Sequence, residues 1–353
     1  MRTVKISALV VALALLIVTL ASGTVLAGDP PSAAVTGNVT TANAPPTINS
    51  VVLQTSEGTS TFAMTPQVEF KLAINATDNN TLADITEIDI WVYHVTTGGD
   101  GAPGSWDADD CALYKWVPDS GGTWTRLNGG ATTTWTVETG QCVTPTLTNS
   151  QGVFKLAFKP GKLAVASAGT DLDEWNFKVT VKDESETSAA SYASLNSMAA
   201  YSQISTDVTS VTFGSSAVAL GATAYIDDPV DHYLTTQVLA NKVYALQVKS
   251  ASTWTGAGTL TLADSGTPAA GEFRLNIDDA ASGAGAPTTA QPVTATAGTI
   301  TGHATDARVA TAPGAAEATA NLPLYMGLTL GSTTIPHGLY SGTITFTVVL
   351  SGS

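Results

Sequence analysis

The sequence is poor in charge, and above all in positive charge. Lys and Arg number 14 against 29 Asp and Glu, and the four types together make up only 12% of the 353 residues. The resulting net charge of −15 is repelled by nucleic acid and by anionic lipid heads. We therefore expect no nucleic-acid partner and a polar surface built mainly from Thr, Ser, Asn and Gly.

Motifs of common active sites are also missing. The four histidines, His94, His232, His303 and His337, are far apart and share no metal-ligand spacing. No Gly-x-Ser-x-Gly elbow, glycine-rich phosphate loop or His-Glu-x-x-His run occurs. We predict no enzymatic activity and no organic cofactor. A secreted hydrolase with two converging carboxylates is the least favoured alternative.

Long apolar runs are absent except at the N-terminus. Arg2 and Lys5 precede the run Ile6–Leu20, and Val25 and Ala27 stand at the −3 and −1 positions of a cleavage site. This arrangement is typical of a secretory signal peptide. The mature protein is therefore predicted to be secreted or to lie at the extracellular cell surface. Only an uncleaved signal segment would be long enough to span a bilayer.

Cysteine is nearly absent, since Cys111 and Cys142 are the only two. An even pair in a secreted chain usually forms a disulfide, and a bridge over a loop of this length stabilises by about 3–4 kcal/mol. A two-cysteine metal site would need a nearby histidine, and none of the four histidines is close to the cysteines in the sequence. We predict a Cys111–Cys142 disulfide.

Alternation of apolar and polar residues is the strongest pattern that is present. It places apolar side chains on one face of four segments: Val68, Phe70, Leu72 and Ile74; Ile88, Ile90 and Val92; Trp175, Phe177, Val179 and Val181; Ile344, Phe346, Val348 and Leu350. A period of two predicts strands with one buried face. Since no helical period is sustained, we predict an all-β fold of two tandem β-sandwich domains.

The composition also divides the chain. The predicted order is a signal peptide at 1–27, an extended arm at 28–44, a first sandwich at 45–187, a connector at 188–203 and a second sandwich at 204–353. The first sandwich carries a Trp- and Cys-containing insert at 97–150, and the connector is expected to be a short helix or irregular.

Two stretches resemble known secreted modules. Pro45–Leu53, followed by Val68–Asn75, Asp78–Ile85 and the Ile88–Val92 strand, resembles the opening of immunoglobulin-like domains in prokaryotic surface and S-layer-associated proteins. Leu322–Ile344 resembles the last strands of secreted β-sandwich modules, including pilin-like domains. The resemblance implies immunoglobulin-like sandwiches in a surface protein.

Asp107, Asp109 and Asp110 form an acidic cluster beside Trp106 and Cys111. Carboxylates this close together are either solvated or bridged by a cation, and calcium takes oxygen ligands from such loops. Calcium is therefore the candidate ion, with a solvated acidic loop as the alternative. A second acidic loop, from Asp78 to Asp84, fails EF-hand spacing because Leu82 occupies its fifth position.

Tryptophan is concentrated in the predicted insert, at Trp106, Trp116, Trp124 and Trp135. Exposed indoles form a platform that stacks on sugar rings or binds a protein, whereas buried ones would fill a satellite core. Three Asn-x-Thr triplets, at Asn38, Asn75 and Asn79, are candidate N-glycosylation sites.

These features predict a structural or adhesive protein of the cell surface, as a subunit of a layer or filament. Its expected partners are itself or other surface proteins, and surface glycans. A carbohydrate-binding module that uses the tryptophans is the alternative. Val35 and Val39 share one face of the extended arm, so the arm is a candidate for strand addition to a neighbouring copy.

Overall fold

The computed structural model describes residues 38–39, 43–96, 110–127, 134–170, 172–184, 191–227, 232–282, 285–289, 291–310 and 317–351. These residues form an all-β fold, as predicted, with no α-helix and three short 3-10 helices at Leu82–Asp84, Asp119–Gly121 and Thr139–Gln141. Within these ranges no helix has the length and apolar character needed to cross a membrane. The predicted signal peptide and most of the arm lie outside the described residues.

The first half of the fold contains ten strands in two sheets. They are β1 (Thr47–Thr55), β2 (Ala63–Met64), β3 (Phe70–Thr77), β4 (Ile85–Val95), β5 (Cys111–Val117), β6 (Thr123–Arg126), β7 (Thr136–Val137), β8 (Gln151–Lys159), β9 (Glu174–Asp183) and β10 (Ser191–Met198). One sheet has the order β1-β3-β8-β7, and the other has the order β2-β10-β9-β4-β5-β6. The pair β2 and β10 is parallel.

Apolar side chains from both sheets meet in the first core. The alternating residues of β4 and β9 are buried there as predicted, whereas Val68 precedes β3 and is 47% exposed. Aromatic rings bridge the two sheets, with centroids 5.0 Å apart for Trp116 and Phe154 and 5.7 Å apart for Tyr114 and Phe158. The sheets therefore pack face to face.

The predicted insert at 97–150 contributes strands to both sheets. Its described residues form the antiparallel hairpin β5–β6 at the edge of one sheet and the strand β7 at the edge of the other. The prediction of a helical or irregular connector is wrong. The segment 188–203 contains β10, which pairs with β9 and buries Met198 in the first core. The surrounding segment is rich in Ala and Ser, and a β-bulge between Ala193 and Asn196 interrupts the alternation within β10, so no period of two marks this strand in the sequence.

The second half contains twelve strands. They are β11 (Ser202–Thr206), β12 (Thr223–Tyr225), β13 (Leu234–Ala240), β14 (Tyr244–Ser250), β15 (Thr253–Gly256), β16 (Thr259–Leu262), β17 (Glu272–Asp278), β18 (Gln291–Val293), β19 (Gly298–Thr299), β20 (Ala320–Leu330), β21 (Tyr340–Ser341) and β22 (Ile344–Leu350). A nine-stranded sheet follows the order β11-β13-β20-β17-β16-β15-β21, with β12 on β20 and β18 on β17, and a three-stranded sheet has the order β19-β14-β22.

The second core lies between these two sheets. Leu246 and Val248 of β14 pack with Phe273 and Leu275 of β17 in one buried cluster. The alternating residues of β22 pack against this cluster and the adjoining one as predicted, but they remain half-buried. Residues Asn43–Ser353, with both main cores, form one compact unit.

Candidate functional site

Three of the four tryptophans of the predicted platform are described by the structure, and all three are buried. Trp116, Trp124 and Trp135 are 0%, 3% and 2% exposed, and all three belong to the first core. Trp116 also donates from Nε1 to Thr144 Oγ1 at 3.1 Å. Buried indoles present no face to a sugar ring, so the prediction that these three residues bind a ligand is wrong. Trp106 lies outside the described residues.

The predicted disulfide is also corrected, because no bond joins Cys111 and Cys142. Ala112 and Tyr114 of β5 point into the first core, so Cys111, one residue before Ala112, points to the opposite face of the sheet. It packs there with Tyr93. Cys142 packs against the first core, and burial raises the pKa of its thiol. A sheet therefore separates the two sulfur atoms.

The candidate calcium ligands are only partly within the described residues. Asp107 and Asp109 lie outside them, and Asp110 is half-buried with its carbonyl accepting from the His94 N–H at 2.8 Å. In the part of the chain that the structure describes, no three His, Cys, Asp or Glu side chains form a metal-binding group.

The three glycosylation candidates differ in accessibility. Asn38 and Asn79 are exposed, whereas Asn75 lies half-buried on β3. The Asn75 amide oxygen accepts hydrogen bonds from Gln151 and Asn49 at 3.1 and 3.4 Å. An oligosaccharide at Asn75 would have to displace these neighbours.

A buried asparagine joins the two halves. Asn241, in the turn between β13 and β14, is 1% exposed. Its Nδ2 donates to the carbonyls of Ala164 and Ala199 at 2.6 and 3.0 Å, and its Oδ1 accepts from the Tyr201 N–H at 2.7 Å. Its main chain adds bonds to Tyr201 and Ala166. Every polar atom of Asn241 is thus used at this junction.

Apolar and polar contacts extend this junction on both sides. Leu163 of the first half packs with Leu239 and Val309 of the second half in a separate buried cluster. Glu317 reaches back to the first half, where its Oε1 accepts from the N–H and hydroxyl of Thr134 at 2.9 and 2.7 Å. We call these contacts, together with those of Asn241, the joint.

A network of four charges covers part of the outer face of the six-stranded sheet. Lys115 and Lys182 both bind Glu87, and Lys182 also binds Asp89 at 2.8 Å. Burial opposes ionisation of Glu87, but the hydrogen bonds from the two lysines outweigh it and lower the pKa of Glu87 to about 2. Burial raises the pKa of Asp89. The alternating signs make this a structural ion-pair network.

Three exposed apolar residues lie on segments that meet at β10. Phe62, Leu172 and Leu195 are 70%, 67% and 46% exposed. Leu195 has a positive φ of 62° at a β-bulge, and its N–H is held by the buried carboxylate of Glu174 at 2.5 Å. The carbonyl of Phe62 accepts from the Ser197 N–H at 2.7 Å. We call Phe62, Leu172 and Leu195 the β10 patch.

A histidine and carboxylates come together in the second half. His303 Nδ1 is 3.0 Å from Asp306 Oδ2, and its Nε2 is buried with no hydrogen-bond partner in the described chain. Asp279 packs against Gly302, where an added Cβ would come within 2.1 Å of its Oδ2. Burial and the neighbouring Asp278 raise the pKa of Asp279. Since Nε2 is closed to solvent, this cluster anchors its loop against β14 rather than offering a base to a substrate.

A shallow depression of about 290 Å³ lies where β14 continues into β15. It is lined by Lys249, Ser250, Ala251, Ser252, Ala295, Thr343 and Thr345. One ammonium group and several hydroxyls line it, without a carboxylate or imidazole. The lining therefore has no acid and base pair for hydrolysis.

Sequence reasoning missed the joint. Asn241 stands in a short polar turn, where asparagine is ordinary because it favours turn conformations. Its burial depends on residues about 40 and 77 positions earlier in the chain, Tyr201 and Ala164. A single sequence carries no local signal of that contact.

No protein-family model matches the chain, and no curated protein matches it significantly.

Proposed function

We propose that this chain is a secreted or cell-surface structural protein that assembles with other copies of itself into a layer or filament. The observation that carries the proposal is the joint. Interfaces between domains of one chain are usually small in area and polar, and they allow the domains to move relative to each other. Here a buried side chain with all its polar atoms bonded fixes one core against the other. A fixed geometry is what a repeating assembly requires of its subunit.

The sequence supports the location and the module type. The N-terminal segment is typical of a secretory signal. The all-β fold is compatible with two tandem immunoglobulin-like sandwiches, the first ending with β10 at Met198 and the second beginning with β11 at Ser202. Low charge and abundant Thr and Ser suit an extracellular β-protein.

The β10 patch supports self-assembly. Leu195 lies on β10, and Phe62 and Leu172 lie on segments next to this strand. An exposed apolar patch of this kind marks a protein interaction surface more often than a single exposed residue does. The bulge at Leu195 is held by the buried Glu174 carboxylate, so the exposure of this leucine is built into the sheet. A second copy of the chain is the partner that we propose for this patch.

Electron microscopy tests the proposal directly. The purified mature protein, starting near Gly28, is expected to form layers or filaments at high concentration, and surface material from the source cells should contain the same objects. The matched variant Phe62→Ser with Leu172→Ser should fold normally and assemble poorly. A mature protein that stays monomeric at high concentration, and is absent from surface material, would overturn the proposal.

Sugar binding remains the alternative to test. Glycan-array binding would now have to involve residues other than Trp116, Trp124 and Trp135, because these are buried. We expect no array signal that depends on them.

A further inference from the structure

The loop between β3 and β4 contains a buried carboxylate, one oxygen of which has no partner among the described residues. Asp78 follows β3 and is 0% exposed. Its Oδ1 accepts a hydrogen bond from the Asn80 N–H at 2.8 Å. Its Oδ2 is equally shut off from solvent, yet has no hydrogen-bond partner among the described residues.

No basic side chain among the described residues forms an ion pair with this carboxylate. None of the ion pairs within the described ranges involves Asp78. Proteins bury charged groups only when they are paired, hydrogen-bonded or bound to a metal. The unpartnered Oδ2 therefore points to a ligand that the protein chain itself does not supply.

Several segments bring oxygen atoms to this loop. The carbonyls of Ser150 and Asn149 accept from the N–H groups of Asp78 and Leu82, both at 2.8 Å, and each keeps a second lone pair. The side-chain oxygen of Asn80 accepts only a long 3.3 Å bond, from Ala44. The surroundings of Asp78 are thus rich in hard oxygen donors.

A second acidic residue lies at the same end of the first half. Asp183, at the end of β9, is 7% exposed and accepts from Asn43 Nδ2 at 2.8 Å. Asn43 is the neighbour of Ala44, which binds Asn80. The segment Asn43–Ala44 therefore contacts both the Asp78 loop, through Asn80, and a second carboxylate, Asp183.

We propose that Asp78 is the anchoring ligand of a calcium site formed by the β3–β4 loop. Calcium binds roughly six to eight oxygen ligands in irregular geometry, including carboxylates, amide oxygens and main-chain carbonyls. Zinc and copper prefer nitrogen or sulfur donors, and magnesium demands near-ideal octahedral geometry. The ion would reach the loop beside Asn79, which is exposed. This proposal does not depend on the proposed function.

Thermal unfolding in the presence of metal tests the site. A ligand that binds only the folded state raises the melting temperature. Millimolar CaCl2 is expected to raise the Tm of the mature protein by several degrees relative to EDTA, and MgCl2 should have a much smaller effect. Asp78→Asn should lose the calcium response, and Asp264→Asn, which removes an exposed carboxylate in the second half, should keep it.

A wild-type protein without a calcium response, or an Asp78→Asn variant that keeps the full response, would overturn the proposal. If Asp78→Asn fails to fold, hydrogen exchange of the wild-type protein still tests whether calcium binds at the β3–β4 loop. Calcium should slow exchange in peptides that cover 78–84 and 149–151. Protection confined to peptides from 97–110 would place the ion at the Asp107–Asp110 cluster and contradict the assignment to Asp78.

Discussion

Asn241 donates from Nδ2 to the carbonyl oxygen of Ala164 across 2.6 Å, and this bond links the β13–β14 turn to the first half of the fold. The same amide group donates to Ala199. A buried amide that serves two carbonyls and one N–H is difficult to replace, because each partner would lose its bond at a site without solvent.

Asn241→Ala should lower the free energy of unfolding by about 2–4 kcal/mol, because it leaves two carbonyls and the Tyr201 N–H unsatisfied. Asn241→Asp should cost more, since a carboxylate oxygen would face the carbonyls that the Nδ2 group now serves. Urea unfolding measures both effects. Gln237→Ala, on the exposed side of β13, is the control and should change stability by less than about 0.5 kcal/mol. An unchanged urea midpoint for Asn241→Ala would show that the Asn241 hydrogen bonds do not hold the two halves in a fixed geometry.

The charge network predicts a loss of stability in acid. The folded-state pKa of Glu87 is about 2, below its unfolded value of about 4.3. The folded state therefore binds fewer protons, and the stabilisation from Glu87 is fully present above about pH 4.5 and is lost as the pH falls toward 2. After allowance for solvent screening, we expect Glu87→Gln to cost about 1–2 kcal/mol at pH 7.

The difference between Glu87→Gln and the wild type should narrow as the pH falls from about 5 to 3. Chemical denaturation at several pH values gives this difference. Glu184→Gln, at an exposed position after β9, is the control, because it removes one carboxylate outside the ion-pair network. A gap that stays constant with pH would show that Glu87 acts through packing and not through its charge.

The positions of the cysteines predict insensitivity to reductant. Since Cys111 and Cys142 lie on opposite sides of a sheet, reduction with dithiothreitol should leave the Tm unchanged. Thiol titration should detect two free groups in the unfolded protein. In the folded protein both thiols should react slowly, because burial raises the pKa of Cys142 and Cys111 is 2% exposed. A Tm that drops on reduction would contradict the placement of β5.

The sequence predicted the parts of the fold that local alternation determines. Phe177 and Val179 of β9 follow a strict period of two and are buried as expected. The strand β10 was not predicted because its burial depends on pairing with β9, and because the bulge between Ala193 and Asn196 breaks its apolar alternation. The same holds for Trp116 and Asp78, since the sequence gives their chemistry but the opposing sheet or loop decides their exposure.

Accessibility predicts the order of glycan occupancy in a host that carries out N-glycosylation. Asn38 and Asn79 are exposed and should be modified more fully than Asn75, whose neighbours on β1 and β8 restrict it. Glycopeptide mapping of secreted protein measures the three occupancies, with Thr→Ala substitution in each triplet as the control. High occupancy at Asn75 together with a bare Asn38 would contradict this order.

The last prediction concerns the arm before β1 as a contact between copies of the protein. Asn43 and Ala44 are tied to Asp183 and Asn80, so deletion of residues 28–42 leaves the entry to β1 intact and should not change the Tm. Val39 is 90% exposed. The sequence predicts an extended arm with Val35 and Val39 on one face, and such an arm suits addition to an open sheet edge of a neighbour.

We therefore expect the deletion to abolish high-mass assemblies in light scattering. The double substitution Val35→Thr with Val39→Thr keeps the β-branched shape and the backbone bonds but removes the apolar contact, so it should weaken assembly without abolishing it. Assemblies that survive the deletion would exclude the arm and leave the β10 patch as the contact. If Phe62→Ser with Leu172→Ser loses assembly and the deletion does not, the β10 patch and not the arm is the contact between copies.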